Sequence, residues 1–115
     1  MTRRILVVDD DRAMVKTLCD ILRLRGWEPR GAYSGKEAVA AQRQDQYPVV
    51  LMDIKMADLD GISASKAMRT DNPDLKIFLM TAHTGPYSVR EVARDGSYRL
   101  VPKPIDMASL LTMLE

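Results

Sequence analysis

A second cysteine is missing from these 115 residues, so Cys19 can make no internal disulfide, and a reducing, cytoplasmic setting is expected. A surplus of charge is missing too. Seventeen Lys and Arg stand against sixteen Asp and Glu, a formal +1, and that balance argues for neither nucleic acid nor a membrane surface as partner. No apolar run approaches the ~20 residues that span a bilayer. Residues 1–4 are basic, but only Ile5, Leu6, Val7 and Val8 separate them from the acids that follow, too few for the apolar stretch of a secretory leader. Repeats, low-complexity tracts and linkers are absent. What is there is an ordinary globular composition, 46% apolar, in a chain long enough to bury a core as a single domain over residues 1–115.

Short apolar runs at residues 5–8, 49–52, 75–80 and 98–101 have the length and content of strands buried on both faces of a parallel sheet. A weaker run, 28–33, follows Gly26 and contains Pro29, which an edge strand tolerates. Helical spacing separates these runs. Met14, Leu18, Ile21 and Leu22 fall at i, i+4, i+7 and i+8, with Gly26 placed to close that helix. Ser34 and Glu37 form a capping box for a second helix. Residues 61–71 and 87–95 give a third and a fourth, and Leu110, Leu111 and Leu114 a fifth, capped by Asp106. Five βα units predict an α/β fold: a single doubly wound, five-stranded parallel sheet flanked by five helices, flavodoxin-like, with strand order 2-1-3-4-5.

The reactive side chains stand where those strands end. Asp9, Asp10 and Asp11 follow the first, Asp53 the third, Thr81 the fourth and Lys103 the fifth. Ligands of open α/β sheets bind outside the carboxyl ends of the strands, where the strand order reverses, which here lies between strands one and three. Asp9, Asp10 and Asp53 would converge there. Two like charges about 4 Å apart repel by roughly 4 kcal/mol at an effective dielectric of 20, so a cation, a proton or solvent must offset them. A hard cation suits such a cluster: Mg²⁺ takes one or two carboxylates with water, carbonyl and phosphate oxygens, and Mn²⁺ is a reasonable substitute. Metal, carboxylate, hydroxyl and ammonium at one rim make a phosphoryl-transfer set. Asp53 would be the nucleophile, Lys103 would stabilise charge on the transferring oxygens, and Thr81 would donate a hydrogen bond to one of them.

The segments "ILVVDDDR", "LMDIKMADLDG", "FLMTAH" and "LVPKP" occur in this order, with 28 residues from Asp53 to Thr81 and 22 from Thr81 to Lys103. Together they resemble the receiver domain of two-component response regulators, over essentially the whole chain. The resemblance implies that Asp53 accepts a phosphoryl group from a sensor histidine kinase or phosphotransfer protein in a Mg²⁺-dependent reaction. It implies a signalling domain that catalyses only its own phosphorylation and dephosphorylation, and that acts by conformational change on an output domain or partner. It assigns Asp10 and Asp53 as direct Mg²⁺ ligands with the Lys55 carbonyl, Asp9 as acting mainly through water, and Thr81 and Lys103 as contacts of the phosphoryl group. It also implies a cis peptide at Lys103-Pro104. A homodimer through the face of the fourth helix, fifth strand and fifth helix is compatible with it, whereas contact with nucleic acid or membrane is not implied. Residue 115 falls early in the family's usual last helix, so an N-terminal domain of a longer regulator is expected. Three positions depart from the family: Ala57 replaces a proline after Met56, Ser97 replaces an alanine after Gly96, and Leu100 replaces the switch aromatic.

Several residues have plainer readings. Asp11 is expected to cap the first helix, Asp60-Gly61 to turn into the third, and His83 to be a loop residue rather than a phospho-carrier. Trp27 and Tyr98 are packing residues, the methionines mostly fill the core, and Arg23, Arg25 and Arg30 form a solvated face. Two other classes compete. A haloacid-dehalogenase-like phosphatase would use Asp9 as nucleophile in the pattern Asp9-x-Asp11, yet no acidic pair follows Lys103 and Asp53 would be idle. An interaction module that takes no phosphate would leave the intact acid set without a use, and a Mg²⁺-dependent change in Trp27 fluorescence is expected to argue against it. Without metal, relief of repulsion is expected to leave Asp9→Asn and Asp10→Asn no less stable than the native chain.

Overall fold

The computed structural model describes residues 3–56, 58, 60–81 and 98–114. Five strands pair in the order β2-β1-β3-β4-β5, every pair parallel. They are β1 (Arg3–Val8), β2 (Trp27–Ala32), β3 (Val49–Asp53), β4 (Lys76–Thr81) and β5 (Tyr98–Pro102). Among the described residues four helices connect or follow them: α1 (Arg12–Leu24), α2 (Gly35–Asp45), α3 (Gly61–Asp71) and α4 (Met107–Leu114). The helix expected over 87–95, His83 and the departures at Ala57 and Ser97 lie outside the described residues. The edge position of β2 accommodates Pro29, which is opposite Ile5 and needs to donate to no second neighbour.

The apolar runs are strands because each buries both faces. Ile5, Val7, Leu51, Phe78, Met80 and Val101 point to one side, against Val15, Leu18, Cys19 and Leu22 of α1 and Leu110 of α4. Leu6, Val8, Val50, Met52, Ile77 and Leu79 point to the other, against Ala38 and Ala41 of α2 and Ala64 and Met68 of α3. Leu6, Leu51 and Leu79 are wholly buried, and each such side chain contributes about 2 kcal/mol through removal from water. The buried stripe of α1 is turned slightly from the expected one: Val15 and Cys19 face the sheet, while Met14 and Ile21 are half-buried at its margins. Burial also pushes the Cys19 thiol above its ordinary pKa, which leaves it a poor nucleophile.

Helix ends carry the expected signals. Gly26 adopts φ +88°, and its N–H donates to the Arg23 carbonyl at 3.1 Å, so α1 stops where only glycine turns without strain. Asp11 accepts from Met14 N–H at 3.1 Å and caps α1. Asp106 accepts from Ala108 N–H and Ser109 Oγ at the start of α4. The return from α2 to β3 rests on a residue without a sequence signal: buried Gln42 donates to the Tyr47 carbonyl at 2.7 Å and accepts from Tyr47 N–H at 3.0 Å. Trp27 and Tyr98 are packing residues, with Arg3 and Arg69 laid over their rings. No described helix is long and apolar enough to cross a membrane.

Candidate functional site

Strand register builds the site. Val8 is opposite Met52, Asp53 opposite Met80 and Thr81 opposite Pro102, so the residues just past these pairs share one end of the sheet. The ladder continues a step beyond the strands: Asp9 N–H donates to Ala32 O at 3.1 Å, Ile54 N–H to Met80 O at 3.1 Å and Lys103 N–H to Thr81 O at 2.8 Å. Asp9, Asp53 and Lys103 therefore hang from held main chain. Asp9, Asp10 and Asp53 each offer a carboxylate oxygen within 4.8 Å of the others, which is the convergence expected of strands one and three. Thr81 is buried at the end of β4, 7% exposed, on the same rim. Lys103-Pro104 is cis.

The three acids are not equivalent. Asp9 is 1% exposed, and both its oxygens are engaged: Oδ1 accepts from Asp11 N–H at 3.0 Å and Oδ2 from Lys103 Nζ at 3.0 Å. The same ammonium lies 3.3 Å from Asp53 Oδ2. Asp10 is exposed and has no hydrogen bond or ion pair with another described residue. Without metal, Lys103 is thus the cation that offsets two of the three charges, a role beyond its expected contact with the phosphoryl group. Asp9 belongs to a buried pair, so a loss of stability is the expectation this geometry gives for Asp9→Asn, while relief of repulsion remains the expectation for Asp10→Asn. Asp11 is the helix cap and takes no part in the cluster.

Charge at the site is set by burial and by these neighbours. Burial pushes the Asp53 carboxyl above its ordinary range, and the charge of Asp9 pushes the same way. Lys103 and a main-chain hydrogen bond from Lys55 pull against both without cancelling them. For Lys103, burial works against the ammonium, but its hydrogen bond to Asp9 and the charges of Asp53 and Asp9 outweigh it and raise the pKa. The donor set fits a hard divalent cation: three carboxylates, all oxygen, one of them unpaired and facing solvent.

Two residues of the loop after β3 were not legible as site residues. The sequence marks Gly61 only as the turn into α3, and Asp60 does cap that helix, accepting from Ser63 N–H at 2.8 Å. Gly61 also lies so close to the end of β3 that a Cβ there would run into the Asp53 carbonyl oxygen and sit 2.9 Å from Ile54 Cα. Its N–H donates to Ile54 O at 2.7 Å. Asp58 reaches across to α2 and accepts from Gly35 N–H at 3.1 Å and Lys36 N–H at 3.0 Å. Nothing in the sequence spacing marks that contact, because its partners lie 22 and 23 residues upstream.

An apolar cleft of about 440 Å³ borders the site, between Met14, Leu18 and Ile21 of α1 and Pro104, Ile105 and Met107 on the other wall, with Asp11 and Lys103 at its edge. A larger cleft of about 610 Å³ lies at the amino-terminal end of the sheet, among Val49, Lys76 and Arg99, away from the acids. Its size gives it no part in the acid chemistry.

Known proteins resemble this chain in sequence and fold. A family model described as "Response regulator receiver domain" matches residues 5–115. The transcriptional regulatory protein ZraR of Salmonella typhimurium is 37% identical over 111 residues, 96% of this chain and 25% of that protein. The regulatory protein AtoC of Escherichia coli is 36% identical over 107 residues, 93% of this chain and 23% of that protein. This chain thus spans about a quarter of the length of these relatives. The chemotaxis protein CheY4 of Vibrio cholerae superposes with a TM-score of 0.89 at 26% identity, covering 99% of this chain and 97% of that one. The response regulator TrrA of Thermotoga maritima, solved in complex with Mg²⁺ and BeF, gives a TM-score of 0.86 at 29% identity, covering 99% and 96%.

Proposed function

From the premise that this chain belongs to the response regulator receiver family of two-component systems, we propose that it accepts a phosphoryl group on Asp53 from a histidine kinase or phosphotransfer protein. The observation that carries this reading is the meeting of Asp9, Asp10 and Asp53 within 4.8 Å, with Lys103 Nζ 3.3 Å from Asp53. Asp10 and Asp53 would hold Mg²⁺ directly together with the Lys55 carbonyl, and Asp9 would act mainly through water. When bound, the ion supplies positive charge that admits an anionic donor and stabilises the transferring oxygens.

This chain's own residues then divide the work. An oxygen of Asp53 attacks phosphorus; a P–O bond forms, the P–N bond to the donor imidazole breaks, and the imidazole leaves with its electron pair. The burial that raises the Asp53 pKa also makes its carboxylate a stronger base than an exposed aspartate. Lys103 already sits between Asp9 and Asp53, and follows the charge onto a phosphoryl oxygen as it develops. Thr81 donates a hydrogen bond to another oxygen. Asp9 is a poor nucleophile by comparison, since both its oxygens are engaged and it is 1% exposed, which disfavours the phosphatase alternative. The apolar cleft beside Lys103 gives a donor protein a surface next to the acceptor. The named activities of ZraR and AtoC as regulators support an output region on a longer chain, to which the phosphorylated domain passes its state.

Incubation with acetyl phosphate or phosphoramidate tests the reading. Labelling is expected at Asp53 in Mg²⁺ or Mn²⁺, is abolished in Asp53→Asn, and is lost in EDTA. Undiminished labelling in EDTA, or an acyl phosphate mapped to Asp9, would sink it.

A further inference from the structure

We propose that Asp58 is a positioning residue for the metal site: its carboxylate locks the loop after Asp53 onto the amino end of α2, and this lock holds the main chain of Lys55 in place. The proposal rests on the functional reading above, in which the Lys55 carbonyl meets Mg²⁺.

The first three N–H groups of α2 are all taken. Gly35 donates to Asp58 Oδ1 at 3.1 Å, Lys36 donates to Asp58 Oδ2 at 3.0 Å, and Glu37 donates to Ser34 Oγ at 3.0 Å. Only the last of these is the local cap that the sequence provides. The other two place a carboxylate, with both oxygens engaged, at the positive end of a helix dipole, and bonds to an ionised acceptor are roughly twice as strong as neutral ones. The grip therefore acts on the loop, since Ser34 already starts the helix.

That loop needs holding. Gly61 pins its far end through the hydrogen bond to Ile54 O, and Asp53 fixes its near end in the sheet. Between them Ala57 sets no ring on φ, so the chain from 54 to 60 has no proline to stiffen it. Asp58 supplies a third anchor, three residues after Lys55, whose main chain already hydrogen-bonds the Asp53 carboxylate. A fixed Asp58 limits where the Lys55 carbonyl can go. Coupling of this kind is reciprocal: a ligand that orders Lys55 must tighten the hold of Asp58 on α2 by the same free energy.

Two measurements with Mg²⁺ itself test this. In the native protein, saturating Mg²⁺ is expected to slow hydrogen exchange at the Gly35 and Lys36 amides and to leave the Ser34-capped Glu37 amide unchanged. By calorimetry, Asp58→Ala is expected to weaken Mg²⁺ binding about fivefold or more, the lower range of coupling between sites. Asp58→Asn, with one acceptor oxygen and no charge, should fall between the two. If Asp58→Ala does not fold, Asp58→Asn and the exchange pattern of the native protein carry the test. Native protein that binds Mg²⁺ with no change at Gly35 and Lys36, or a folded Asp58→Ala that binds it as tightly, overturns the clamp alone. Native protein that binds no Mg²⁺ overturns the functional reading and the clamp together.

Discussion

Asp9 and Asp10 are sequence neighbours of the same chemical type, yet the structure gives them opposite contributions to stability. Asp9 is buried against Lys103 and the Asp11 N–H; an amide there would set its NH₂ against either the ammonium or the Asp11 N–H, leaving one of these donors without its acceptor. Asp9→Asn is expected to lower stability in EDTA by about 1–3 kcal/mol, the cost of a poorly paired buried polar group. Asp10→Asn removes an exposed charge, unpaired among the described residues, from beside two others and is expected to leave stability equal or slightly higher. Denaturant midpoints in EDTA decide it, and equal shifts for both variants would refute the distinction. Asp53 gives a pH-dependent version of the same test. Its folded pKa lies above the ordinary 3.8, chiefly through burial and then through Asp9, so the native state binds its proton more tightly than the unfolded chain does. The ionised form therefore costs stability at neutral pH; that cost shrinks as pH falls through the raised folded value and is gone below 3.8. Asp53→Asn should be more stable than native at pH 7 without metal, and the gain should vanish in acid. A gain that persists below pH 3.8 would point to another cause. The acids themselves were legible because each follows an apolar run. Which acid is paired was not, because Lys103 lies 94 residues from Asp9 and only tertiary structure brings it there.

At the scale of elements, four of the five strands were readable as apolar runs, since burial on both faces leaves a run without alternation, whereas the edge strand β2 showed only a weak signal around Pro29. Boundaries moved by a residue or two where hydrogen bonding outlasts the apolar stretch, as at Arg3–Val8 and Lys76–Thr81. Caps were equally legible, because Asp11, Ser34, Asp60 and Asp106 satisfy donors within three residues. Glu37 departs in one detail: its carboxylate accepts from Tyr33 N–H at 3.2 Å rather than from the Ser34 N–H of a capping box. What sequence could not supply was contact between elements, above all at the turn from β3 to α3. Gly61 packs there on the carbonyl of Asp53, and a methyl group has no room unless the strand end moves. Gly61→Ala is expected to cost about 1–3 kcal/mol, as overpacking does, and to slow labelling of Asp53 by acetyl phosphate beyond what instability explains. Stability and labelling both at native levels would show that the turn opens freely and that the close approach is incidental.

Across the whole molecule, the sheet separates the acids at one end from Trp27 at the other. Trp27 pairs with Arg3 at the amino-terminal edge, six strand steps or about 20 Å from the residues that follow Ala32 and Val8. It is buried under Arg3, with an indole N–H that finds no partner among the described residues, and is poorly placed to report on a cation among the acids. A reporter must lie nearer to Asp53. β4 and β5 are joined close to it, where the Thr81 carbonyl holds Lys103 N–H and Leu79 is opposite Leu100. Leu100 is half-buried and packed against the core on the α2 and α3 side of the sheet. A ring at this position could trade an exposed site for a buried one with modest loss, since its face and edge suit both settings. A leucine gains nothing by turning outward, and leaving the core forfeits apolar burial of about 25 cal/mol per Å². Leu100 should therefore stay packed whether or not Asp53 carries phosphate, and any change of state must be borne by main-chain shifts around it. With Mg²⁺ and beryllofluoride as a phosphoryl mimic, the Leu100 methyl groups are expected to keep one rotamer while amide signals of Thr81 and Lys103 move. Methyl and amide NMR of the same sample would show both. A rotamer change at Leu100 with those amides still would mean that the side chain, and not the strand, transmits the state of the acid site.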